Sequence, residues 1–228
     1  MKYFFDTEFI EGFKKPIPWL PTIGQFNRPY HSIQLISIGI VAEDGREYYA
    51  ISSEFNPADA NPWVKENVIK KLGWLPIRET NKRIAQEIVK FTNVEGLHYY
   101  LEDFETGFKS YQSDKDQNIE FYAYYADYDW VVFCTLFGTM MDLPKGFPMY
   151  CRDLKQMLDE KAETLDSFYR GSILYAGGTM EPGDRKASID EKIKSLKARA
   201  NYPAQDNEHN ALDDAKWNYQ LYKFLKSL

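Results

Sequence analysis

This chain of 228 residues has only two cysteines, Cys134 and Cys151, so no disulfide framework can hold it together and a reducing compartment suits it. It has no apolar run near 20 residues, and its N-terminus has no signal-like apolar core. The expectation is a soluble, cytoplasmic protein with no membrane partner. Positive charge is in short supply as well: 28 Lys and Arg stand against 34 Asp and Glu, a net of −6. That balance argues against a protein that holds nucleic acid mainly by a basic surface, although bound metal ions can supply positive charge locally. No Pro/Gly/Ser-rich linker, internal repeat or low-complexity tract divides the sequence, and residues 1–228 read as one domain.

Aromatic residues are plentiful, with 15 Phe, 17 Tyr and 5 Trp making up 16% of the chain. Most are expected in the core, where aromatics bury the most area, and a minority could stack on bases. Residues 2 to 9 alternate, with Tyr3, Phe5 and Thr7 on one strand face and Phe4, Asp6 and Glu8 on the other. Ile33 to Val41 is a second apolar run, and Asp44-Gly45 is a hairpin signal leading into EYYAISS, so three antiparallel strands are expected first. Helical patterns follow in WVKENVIKKL and from Asn81 to Phe91, and the polar stretch Asp103 to Gln117 reads as loop. Ile119 to Tyr125 has the near-continuous apolar character of a strand covered on both faces. A helix should begin at once, with Asp127 as its N-cap. RDLKQMLDEK is helical, and Ala211 to Ser227 carries an inward stripe of Ala211, Ala215, Asn218, Leu221, Tyr222 and Leu225. The order fits an α/β fold with a mixed sheet and helices on both faces.

Several acids fall where the pattern turns them inward, and a buried, unpaired carboxylate is too costly to keep without a cation. Asp6 and Glu8 share a face of an otherwise apolar strand, close enough to offer oxygens to one hard cation such as magnesium or manganese; the competing reading is a pair of solvated strand-end acids. Val132, Phe133 and Leu136 lie three, four and seven residues after Asp129 and turn it toward the sheet, while a first-turn acid favoured by the helix dipole is the alternative. Asp214 lies on the inward stripe of the last helix; Asp213 sits in its first turn beside a possible Asn210 cap. His209 precedes Asp214 by five residues, a rotation of about 140° on a helix, so the two converge only if His209 belongs to the entering loop. There it could take a proton from an attacking water, although His209 alone reads as a surface residue.

Taken in order, DTEF with Asp6 and Glu8, YADYD with Asp129, and HNALDDA with His209 and Asp214 resemble the three motifs of the DEDDh family of ribonuclease H-like 3'-5' exonucleases. YFFDTEFI followed by LISIGIVAEDGREYYA is most similar to the polyadenylate-specific 3'-exoribonuclease AS group. The resemblance implies a ribonuclease H-like, five-stranded mixed sheet, a homodimer, and two divalent ions, Mg2+ or Mn2+, held by Asp6, Glu8, Asp129 and Asp214. It also implies release of nucleoside 5'-monophosphates from the 3' end of single-stranded RNA, with His209 as general base. Thr7 and Phe9 become candidates to contact the terminal nucleotide, with strand packing as their alternative. Two segments depart from the pattern as insertions, residues 11–32 and 167–205. The competing functions are the same chemistry on DNA, as in proofreading or repair exonucleases, and a binding module without turnover. Lys186, Lys192, Lys194, Lys197 and Arg199 read as a solvated helix face rather than an RNA track. Gly177-Gly178 lacks the strand-to-helix context of a phosphate loop, and His31 and His98 have no partner pattern.

Overall fold

The computed structural model describes residues 1–17, 19–73, 77–92, 98–101, 108–111, 118–175 and 188–228. Its centre is strand β1, Lys2–Lys14, which pairs antiparallel with β2, Tyr30–Ala42, as β2 does with β3, Glu47–Ser52. These are the three antiparallel strands the sequence predicts, with Gly45 at φ 91° in the turn between β2 and β3. Past α1, Pro62–Asn67, the two-residue strand β4, Arg78–Glu79, joins β3 in parallel, and α2, Asn81–Thr92, follows.

Strand β5, His98–Leu101, and β6, Phe108–Tyr111, form a separate antiparallel pair. The loop expected over Asp103 to Gln117 is therefore a strand at 108–111, and the rest of that stretch lies outside the described residues. Strand β7, Glu120–Ala123, runs parallel to β1; α3, Ala126–Thr135, comes next, and β8, Arg152–Asp153, closes the sheet beside β7. The order β4-β3-β2-β1-β7-β8 makes six strands rather than five, because two-residue strands at each edge carry too little pattern to be read from sequence. Helices α4, Leu154–Tyr175, α5, Ile189–Lys197, and α6, Ala211–Ser227, complete the chain.

The alternation in β1 sorts the two faces. Tyr3 and Phe5 pack with Ile84 and Ile88 of α2 and Val132 and Phe133 of α3 on one side. Phe4 packs with Leu158 of α4, Leu196 of α5 and Leu221 of α6 on the other. Tyr3, Phe4, Phe5 and Phe121 are wholly buried, each contributing about 1.5–3 kcal/mol of apolar transfer. Much of the aromatic content is thus core, with Phe121 alone in contact with Phe5, Trp130, Phe133 and Phe147.

Within segment 11–32, β1 and β2 remain paired past a register shift between Glu8 and Phe9, out to Lys14 opposite Tyr30, so the central hairpin runs into this segment. In segment 167–205, α4 continues to Tyr175 and α5 packs against it. Residues 176–187, with Gly177, Gly178 and Lys186, lie outside the described residues. Lys192 departs from the expected solvated face: it is buried and its Nζ reaches Glu163 Oε2 at 2.9 Å, while Lys194, Lys197 and Arg199 are exposed. Among the described residues, no helix is long and apolar enough to cross a membrane.

Candidate active site

Strand β1 pairs with β7 only from Lys2 to Phe4 and then runs on with that edge open. The gap past the C-terminal end of a parallel strand is where α/β sheets receive ligands. Asp6 and Glu8 stand at this point, on the face of β1 that α6 covers. Opposite Asp6 in the ladder is Gly39 of β2, and the first turn of α6 rests on it: a Cβ there would lie 2.3–2.4 Å from backbone atoms of Ala211 and Leu212. Only glycine admits that approach. Farther along α6, the Asn218 amide donates to the Phe5 carbonyl at 2.9 Å and the Tyr219 hydroxyl to the Glu43 carbonyl at 2.9 Å, fixing the helix against the sheet.

The result is that carboxylate oxygens of Asp6, Glu8 and Asp214 all lie within 4.8 Å of one another. Asp214 is held on both oxygens. Its Oδ1 accepts from Gln205 Nε2 at 2.9 Å, and its Oδ2 from the backbone N–H of His209 at 2.8 Å. The Asn210 side chain caps α6 by accepting from Leu212 and Asp213, leaving His209 in the entering loop as its spacing from Asp214 requires. His209 has a left-handed backbone, φ 67°, which lets its N–H turn back to Asp214 while its ring points to the acids. Nδ1 of His209 lies 4.0 Å from Glu8 Oε1. The edge-to-face contact with Trp63 of α1, at 4.8 Å and 81°, fixes the ring plane. Lys71 Nζ donates to the Glu208 carbonyl at 2.7 Å and anchors the same loop.

Asp129 is inward and buried in the first turn of α3, as its apolar stripe predicts, but it stands outside the three-acid cluster. Its Oδ1 accepts from both the backbone N–H of Thr7, at 2.8 Å, and the Thr7 hydroxyl, at 2.6 Å. The open edge of β1 supplies that N–H. Thr7 is accordingly buried, with its polar groups turned to Asp129, and Phe9 stacks on the exposed Tyr128 at 5.9 Å and 14°. Asp127 is not the N-cap. The helix starts at Ala126, whose N–H is taken by Asp153 Oδ2 at 3.0 Å, and Asp127 is an exposed first-turn acid. Asp153 Oδ1 also accepts from the N–H groups of Lys155 and Gln156, so one carboxylate caps both α3 and α4.

Burial raises the proton affinity of every acid here, and nearby negative charge adds to it. Burial pushes Asp6 well above the ordinary carboxylate range, with the charges of Asp129, Glu8 and Asp214 adding to it. Glu8 is pushed up to about 8 by burial and then by Asp214 and Asp129, with Lys71 opposing. Asp129 is pushed up to about 6 by burial, against the two hydrogen bonds from Thr7. Asp214 is raised by burial, against the bonds from Gln205 and His209. An all-oxygen, strongly anionic donor set suits a hard divalent cation such as magnesium or manganese, whose charge would remove the repulsion.

Gly39, Trp63, Lys71, Gln205 and Asp153 escaped the sequence reading. Gly39 had a usable signal, since a glycine inside an apolar strand marks a close backbone approach. The other four act across distances in sequence that no local pattern encodes.

A family model described as a 3'-5' exoribonuclease Rv2179c-like domain matches residues 23–225, which takes in Asp129, His209 and Asp214 and leaves Asp6 and Glu8 just before it. Two relatives from Mycobacterium tuberculosis, 3'-5' exoribonuclease Rv2179c of strain H37Rv and 3'-5' exoribonuclease MT2234.1 of strain CDC 1551, are each 37% identical over 163 residues. Each alignment covers 71% of this chain and 76% of the relative.

Proposed function

Because this chain belongs to the 3'-5' exoribonuclease Rv2179c-like domain family, we propose that it is a metal-dependent enzyme that removes nucleotides from the 3' end of single-stranded RNA. In this reading it releases nucleoside 5'-monophosphates, prefers poly(A) and works as a homodimer. The single observation that carries the metal dependence is the meeting of Asp6, Glu8 and Asp214 oxygens within 4.8 Å, beneath a loop histidine.

Asp6, Glu8 and Asp214 would hold the divalent ions, with Asp129 completing the set through the oxygen that Thr7 leaves open. When bound, such ions polarise the scissile phosphodiester and lower the pKa of water. The protein's own side chains do the rest. His209 takes the proton of the attacking water, and Trp63 keeps its ring plane fixed while it does so. The His209 N–H and the Gln205 amide hold Asp214 in place; Thr7 does the same for Asp129. Phe9, stacked on Tyr128 beside Asp129, offers an apolar surface to the terminal nucleotide.

The test is release of mononucleotides from 3'-tailed RNAs of differing base composition and from matched DNA, in manganese and in chelator. The expected result is metal-dependent release from RNA, fastest on oligo(A), and abolished by Asp129→Asn together with weakened manganese binding. Equal turnover of DNA would move the substrate assignment, and tight binding with no release would reduce the protein to a binding module.

A further inference from the structure

The paired ends of β1 and β2 project beyond the last core contact as an arm, residues 11–32, reaching about 20 Å past Glu8 at the usual rise of a strand. Its surface is rich in exposed apolar side chains. Phe13, Trp19, Ile23, Phe26 and Tyr30 are between 51% and 83% exposed, a concentration of large apolar side chains in water. The tip is nonetheless built. Asn27, buried and at φ 53°, accepts from the Ile17 N–H at 2.8 Å and donates to the Ile17 and Leu20 carbonyls at 2.9 and 2.6 Å. No acidic residue occurs between Gly12 and Ala42, in a chain with 34 of them. Lys14 ties the root of the arm to Asp59 at 2.8 Å, and Lys15 and Arg28 lie on its outer part.

Apart from Glu11 at its root, which is bonded to His31 at 2.8 Å, the arm carries aromatic side chains interleaved with cations, the chemistry that holds a single nucleic-acid strand: rings stack on bases whatever their identity, and cations follow the phosphates. A second copy meeting the same face would set two surfaces of the same positive sign, each with Lys15 and Arg28, against one another, since a two-fold contact pairs a patch with itself. We propose that the arm binds the RNA strand upstream of the 3' nucleotide, so that this surface extends the active site and favours long substrates over short ones. The inference rests on the exoribonuclease reading and concerns a region distinct from the catalytic acids.

Trp19→Ser combined with Phe26→Ser alters two exposed side chains. For a 12-nucleotide oligo(A), KM should rise at least about tenfold with kcat kept, as the loss of two stacking contacts implies. For the dinucleotide, both constants should be unchanged, which also reports an intact fold. Binding of a fluorescent 12-mer by anisotropy in chelator should weaken at least about tenfold in the same variant. Equal KM and equal binding on the 12-mer overturn the proposal, as does an equal loss on both substrates or a change from dimer to monomer by light scattering. If the native protein releases no nucleotide, the exoribonuclease reading fails; the anisotropy comparison then still decides whether the arm holds RNA.

Discussion

Glu8→Gln should make the metal-free protein more stable at pH 8 while removing its response to manganese. Glu8 has an ordinary value of 4.5 and is pushed up to about 8 in the folded chain. A carboxyl that binds its proton more tightly when folded stabilises the fold below pH 4.5, and that contribution is lost as pH rises toward 8. At 1.36 kcal/mol per pKa unit, an isolated group with this shift would account for roughly 4–5 kcal/mol. Part of that shift comes from the neighbouring charges of Asp214 and Asp129, which respond to each other's protonation, so replacing Glu8 by a neutral amide of the same shape should recover about 2–4 kcal/mol. The assay is urea unfolding in chelator at pH 4.5, 6 and 8. Wild type and variant should match at pH 4.5 and diverge by pH 8, with the variant ahead. Manganese at about 100 times its Kd should then add about 2.7 kcal/mol to the wild type and much less to the variant. Parallel pH curves for the two proteins, or an equal gain from manganese, would refute the account of these acids as a repelling cluster that a cation relieves.

Gly39→Ala should cost more than about 3 kcal/mol in unfolding free energy and most of the activity, since its methyl collides with the α6 backbone that carries Asp214; an ordinary Gly-to-Ala gain in strand stability would contradict the packing. His209→Ala should lower kcat by roughly 10² to 10⁴ yet leave manganese affinity within about twofold by calorimetry, because the Asp214 oxygen is held by the His209 backbone and not its ring. Asp153→Ala should lose about 1–2 kcal/mol for each of the two helix starts it caps, seen as a lower Tm with manganese affinity unchanged.

The period-two pattern of residues 2 to 9 already put Asp6 and Glu8 on one face, and the 3.6-residue stripe after Ala211 put Asp214 inward, because these relations depend only on local backbone geometry. The hairpin at Asp44-Gly45 and the loop position of His209 were legible for the same reason. What the sequence could not supply was anything decided between distant segments. The reach of the β1–β2 arm depends on pairing between strands separated by residues 15–29, and the edge strands β4 and β8 are too short to announce themselves. Asp153 took the capping role expected of Asp127 because β8 delivers its carboxylate to a helix start 27 positions earlier in the chain. Alternation and helical period thus chose which acids point inward. Only the closed fold, with α6 seated on Gly39 and Thr7 grasping Asp129 at the unpaired edge of β1, determined which of them meet.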